Sequence, residues 1–217
     1  TKESCKTLID KALNEYQQSN VKAICMDMWK PFYNAFSEKI PNASIVHDHF
    51  HISQYLNKAV DQIRKKENKE LDATTNNPLK KSKFLWLSNP ENLSEEAKNQ
   101  LNSLNELNLK VSKAWMLKES FKPFWQYRSK SWAEKYFNVW YENVTKNELP
   151  AMLKVADMLK KHLGNILTYF DHSISNAVAE GLNSKIQMTK SNARGYRSFE
   201  GFRVSILFHC GKLRMEP

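Results

Sequence analysis

Apolar residues recur at helical spacing over residues 1–17, where Cys5, Leu8, Ile9, Ala12, Leu13 and Tyr16 share one stripe opposite lysines and glutamates. This predicts a covering helix, broken at Ser19-Asn20. The period then changes. Residues 21–26 (Val-Lys-Ala-Ile-Cys-Met) form a short, mostly apolar run that ends at Asp27, and residues 44–47 (Ser-Ile-Val-His) form a second that runs into Asp48. Two such runs predict buried parallel strands, and Phe32, Tyr33, Phe36 and Ile40 between them predict the crossover helix, started at Pro31 and stopped at Pro41-Asn42. Ligands bind at the carboxyl edge of such sheets, so each strand delivers a carboxylate to a candidate site.

Further along, Ile52, Tyr55, Leu56, Ala59, Val60 and Ile63 give a clean helical stripe that continues into the charged run Arg64–Glu70. That run reads as a solvated helix end, with a DNA contact as the alternative. Residues 72–83 are polar and turn-rich, which predicts a loop. From Phe84 to about Phe170 the chain reads as all helix, with Ser94 as an N-cap ahead of Glu95 and Glu96. Trp115, Phe121, Phe124, Trp125, Trp132, Phe137 and Trp140 lie among Lys118, Lys122, Arg128, Lys130 and Lys135. They read as a packed core with basic residues outside, against the alternative of a platform on which unpaired bases stack. Pro150 starts a further helix with Leu153, Ala156, Leu159, Leu163, Ile166, Leu167 and Phe170 as its buried stripe, weakened at Gly164. A turn at 171–175 leads into a helix in which Asn183 and Gln187 share the face of Glu180, and a basic turn, 190–197, precedes a last apolar element holding Phe199, Phe202, Val204 and Ile206.

Charge narrows the class. With 33 Lys+Arg against 23 Asp+Glu the net charge is +10, which suits a polyanion such as DNA, RNA or an anionic membrane surface. Three widely spaced cysteines, Cys5, Cys25 and Cys210, form no disulfide framework and no zinc motif, and no apolar run approaches membrane-spanning length. A soluble, cytoplasmic protein without a membrane partner is the expectation. The chain starts at Thr1-Lys2-Glu3, which is expected of a piece of something longer.

A carboxylate at the end of a buried strand is costly unless a cation or hydrogen-bond donors satisfy it. Asp27 could therefore join Glu180 in holding divalent metal, or cap the helix that follows. His47, Asp48, His49 and His51 invite a zinc reading, but no second cluster completes four ligands, and a polar Asp48–His51 pair fixing the strand-to-helix junction is the better account. No Ser-His-Asp or Cys-His motif and no glycine-rich phosphate loop is present.

The order of blocks, from DM…PFY…IPNASIVHDHFH through AVDQIRK and LNLKVSKAWMLKESF to SNAVAEGLNSKIQMTKSNARGYRSFEGFRVSIL, resembles the ISL-three family of bacterial insertion-sequence transposases over nearly the whole chain. The resemblance implies an α/β, helix-dominated chain: a partial RNase H-like core of two parallel strands with a large all-helical insertion. It implies a DNA transposase that hydrolyses phosphodiesters and transfers strands with Mg²⁺ (or Mn²⁺), acting on transposon ends and target DNA as a homo-oligomer in the transposition complex. Asp27 is then similar to the second catalytic aspartate and Glu180 to the catalytic glutamate, both metal ligands. Asp48 and His51 match an Asp-x-x-His element near the site, and Lys190, Arg194 and Arg197 are expected to touch DNA. Residues 1–71 would hold the core with the second aspartate, 72–170 the insertion, and 171–217 the helices with the glutamate. The family's first aspartate lies on an earlier strand, so the expectation is a C-terminal portion that is inactive alone. The rivals are a non-catalytic DNA-binding or regulatory fragment and an inert relic.

Overall fold

The stripe at the start of the chain folds as two helices, α1 (Lys2–Ala12) and α2 (Glu15–Asn20), where one was expected. The reason is local. Asn14 accepts the Gln17 N–H at 2.8 Å while the Gln17 side chain accepts the Asn14 N–H at 3.0 Å, a reciprocal cap that starts a new helix. Cys5 and Ile9 are buried, whereas Leu8 and Tyr16 are exposed. The first strand, β1 (Ala23–Met26), is shorter than expected, and the second, β2, covers Ser44–His47. They pair in parallel from Ala23↔Ser44 to Met26↔His47, joined by the crossover helix α3 (Lys30–Lys39) with Pro31 in its first turn. Helix α3 packs on α1, and Lys39 reaches Asp10 at 2.6 Å.

The computed structural model describes residues 1–72 and 77–211, and the chain divides into two units, Thr1–Ile174 and Ser175–Pro217. Part of the expected 72–83 loop, residues 73–76, lies outside the described residues. The spine of the first unit is α4 (His49–Leu71), which packs along α5 (Lys83–Leu87), α7 (Lys110–Glu119) and α9 (Pro150–Lys161). Helices α6 (Glu95–Glu106), α8 (Lys130–Lys146), α10 (Leu163–Leu167) and α11 (Tyr169–His172) complete it. Ser94 caps α6 by accepting the Ala97 N–H.

The aromatic segment is largely a core, except that Trp132, expected inside, is exposed with Lys135 over its ring. Phe121, Phe124, Phe137 and Trp140 are all buried, with Phe121 stacked on Phe124 at 5.0 Å between ring centroids and the Trp140 indole N–H donating to the Leu117 carbonyl at 2.8 Å. Such pairs add about 0.5–1.5 kcal/mol each beyond the area they bury.

Three sequence expectations fail here for packing reasons. Glu67, placed in the solvated run, is buried: its two oxygens accept the Lys110 and Val111 N–H groups at 2.7 and 2.8 Å, capping α7 from 43 and 44 residues away. Lys118, placed outside the core, is buried with its ammonium donating to the Trp86 carbonyl at 2.9 Å and paired with Glu119 at 3.1 Å; burial pushes its pKa down. In α9 Met152, not Leu153, joins Ala156 and Leu159 in the interior.

The second unit is a pair of contacting helices, α12 (Ala177–Asn192) and α13 (Phe199–Cys210). Arg194 (φ 51°) and Gly195 (φ 116°) turn the chain between them, and Ser198 caps α13 through the Gly201 N–H. Tyr196 ties the turn down, its hydroxyl 2.8 Å from Ser205 Oγ and its ring 5.0 Å from Phe202. No helix among the described residues is long and apolar enough to cross a membrane.

Candidate active site at the strand ends

Parallel pairing brings the two strand-end carboxylates to one edge of the sheet. Met26↔His47 is the last register pair, and the Asp48 N–H extends the ladder by donating to the Met26 carbonyl at 3.1 Å. Asp27 follows Met26 and is half-buried. Its Oδ1 accepts the N–H of Met28 at 2.6 Å and lies 3.5 Å from the Tyr55 hydroxyl. Burial, then the Asp27 charge, raises the Tyr55 pKa, so the phenol stays protonated and faces the carboxylate as a donor. Among the described residues Asp27 Oδ2 accepts no hydrogen bond, and it remains a hard oxygen donor at a sheet edge.

Asp48 stands at the N-cap of α4 and is 2% exposed. Its side chain turns to imidazoles: Oδ2 is 3.1 Å from His51 Nδ1 and Oδ1 is 3.6 Å from His49 Nδ1. A carboxylate oxygen accepts, so His51 Nδ1 is the donor in this pair. His47 is buried, and among the described residues neither ring nitrogen has a partner in hydrogen-bonding geometry; its ring is 5.2 Å from that of His162. Burial, then His162, pushes the His47 pKa down to about 4, against the opposing Met26 backbone and Asp27, so the ring is neutral near pH 7.

The structure brings together Asp27 with Tyr55 and Asp48 with His51. Glu180, Lys190, Arg194 and Arg197 belong to the second unit. There Glu180 sits half-buried in the first turn of α12, Lys190 is exposed in its last turn, and both arginines are exposed on the turn that follows. Asn183 and Gln187 are exposed on α12.

Sequence reasoning missed Tyr55 and the packing of His47 against His162. Tyr55 was counted in an apolar stripe, yet it lies seven residues after Asp48, two helical turns along the same face of α4, so its hydroxyl was a readable signal.

A family model described as transposase, of the ISL-three DDE type, matches residues 1–206. The chain belongs to the ISL-three transposase family. Among its relatives, the transposase for insertion sequence element IS1001 of Bordetella parapertussis is 30% identical over 189 residues, covering 86% of this chain and 47% of that protein. The transposase for insertion sequence element IS1557 of Mycobacterium tuberculosis is 20% identical over 210 residues, again covering 86% of this chain and 47% of the relative. The chain thus spans about half the length of the curated transposases it matches. No solved structure matches it.

Proposed function

We propose that this chain carries two of the three catalytic carboxylates of a DNA transposase, with Asp27 and Glu180 as ligands of Mg²⁺ (or Mn²⁺). The observation that carries the reading is Asp27: a half-buried carboxylate at the carboxyl end of a parallel strand, one oxygen held by Met28 N–H and the other accepting nothing among the described residues. All-oxygen donors suit a hard divalent ion. When bound, the metal supplies Lewis-acid activation of the attacking oxygen and charge stabilisation at the phosphoryl group. The protein's own part is orientation. Met28 N–H fixes the Asp27 rotamer, Tyr55 backs it with a hydroxyl, and the Asp48–His51 pair locks the start of α4 beside it.

On this reading β1 and β2 belong to an RNase H-like core within residues 1–71. Residues 72–170 are the helical insertion, and 171–217 carry the glutamate on core helices. The substrates are transposon ends and target DNA, approached with the help of Lys190, Arg194 and Arg197, in a homo-oligomeric complex in the bacterial cytoplasm.

The test is Mn²⁺ binding followed by water proton relaxation, with nicking of supercoiled plasmid measured in parallel. Asp27→Asn and Glu180→Gln should each weaken Mn²⁺ binding about tenfold or more and abolish any nicking. DNA binding that ignores both metal and these substitutions would instead support a non-catalytic DNA-binding or regulatory fragment, which the exposed basic turn 190–197 favours.

A further inference from the structure

One residue beyond Asp27 a cleft of about 380 Å³ opens in the first unit, lined by Met28, Lys30, Tyr33, Asn34, His47, Lys161, His162 and Asn165. Its chemistry is layered. The wall carries neutral polar groups: the imidazoles of His47 and His162, the amides of Asn34 and Asn165 and the Tyr33 phenol. The rim carries two exposed ammonium groups, Lys30 and Lys161. The second observation is His47 itself, 1% exposed and, among the described residues, with no partner in hydrogen-bonding geometry at either ring nitrogen, the Met26 backbone being the polar group beside it. A buried polar ring without such a partner is rare in folded proteins and calls for an explanation other than packing.

We propose that this cleft receives one unpaired nucleobase of the DNA substrate, its edge read by His47, Asn34 and Asn165 and its flanking phosphates held by Lys30 and Lys161. Three features select a base over a bare phosphate. An anion would gain most from the lysines, which stand at the rim, whereas the interior offers neutral donors and acceptors of the kind that pair with base edges. The volume accommodates a base with its sugar. Tyr33 and, just outside the cleft, Trp29 and Phe32 are exposed aromatics, the last two edge-to-face at 4.7 Å, and offer stacking surface at the mouth. The inference rests on DNA being the substrate of the adjacent carboxylate site.

The experiment compares binding of the whole chain to three duplex probes by fluorescence anisotropy in Ca²⁺ buffer: fully paired, with one bulged thymidine, and with one bulged abasic site. The bulged thymidine should bind about tenfold more tightly than the abasic bulge. His47→Leu, which replaces a buried polar ring by an apolar group of similar size, and Asn165→Leu should each bring that ratio near one while leaving affinity for the paired duplex unchanged. Lys30→Ala with Lys161→Ala should weaken all three probes together and reduce the salt dependence. Equal binding of thymidine and abasic bulges overturns the base pocket while the DNA reading stands. A preference that survives both His47→Leu and Asn165→Leu, with thermal melting showing both variants folded, overturns it equally. Binding of none of the three probes overturns the DNA reading and the pocket with it.

Discussion

The helical body of the first unit and the α12–α13 pair of the second are made of similar residues and put them to different use. Around α4 the large apolar side chains are interior: Trp86, Phe121, Phe124, Phe137 and Met152 are each less than 3% exposed. In α12 and α13 the only buried residue is Thr189, while Val178, Leu182, Met188, Phe199, Val204, Leu207 and Phe208 are exposed. Apolar content therefore does not make a core. A core needs elements on several sides of the same residue. The first unit has them and a helical pair does not.

The contrast can be broken most severely at Phe124. Phe124→Ala should cost about 3–5 kcal/mol in urea unfolding, because its ring neighbours Phe121, Trp125, Phe137 and Phe170 cannot all collapse into the space. Phe199→Ala, the same truncation at a residue 78% exposed, should change stability by less than about 0.5 kcal/mol. Next comes Glu67→Ala, which strands the N–H groups of Lys110 and of buried Val111 at the start of α7. A loss of about 2–3 kcal/mol is expected, with Glu67→Gln recovering part of it, measured by chemical denaturation.

A smaller effect is set by pH. The native His47 pKa of about 4 lies below its ordinary 6.5. Between those values the unfolded chain binds a proton that the native ring refuses, so stability is fully present above about pH 6.5 and falls as pH drops toward 4, by on the order of 2 kcal/mol. Thermal melting at about pH 7.5 and about pH 4.5 should show this drop, and His47→Leu should flatten it.

What the sequence disclosed follows the same division. Strands ending in Asp27 and Asp48, the crossover helix and the aromatic core were legible because each is written in short-range periodicity. Glu67 and Lys118 were not, since each is a polar group whose fate is decided by a partner far off in the chain: Val111 and Trp86. The break at Leu13-Asn14 was missed for the opposite reason. A reciprocal cap, in which the Asn14 and Gln17 side chains each accept the other's backbone N–H, outweighed an apolar stripe that suggested continuity. The candidate site was readable as carboxylates at strand ends, but the packing of His47 against His162 depends on α10 and the residues around it, which no local pattern reveals.

The small sheet has one further consequence, for the order of events in folding. The Thr168 hydroxyl lies 2.6 Å from the Ile45 carbonyl of β2 and 2.6 Å from that of Asn165, a single proton shared across a sequence separation of 123 residues. Helices α10 and α11 both pack on β2. β1 and β2 pair locally through α3, but closing a loop of that length yields nothing until the intervening helices have condensed, so the tie between this edge and α10 is made late. The same edge should be among the first parts of the first unit to exchange its amide hydrogens, opening and closing while the aromatic core stays shut.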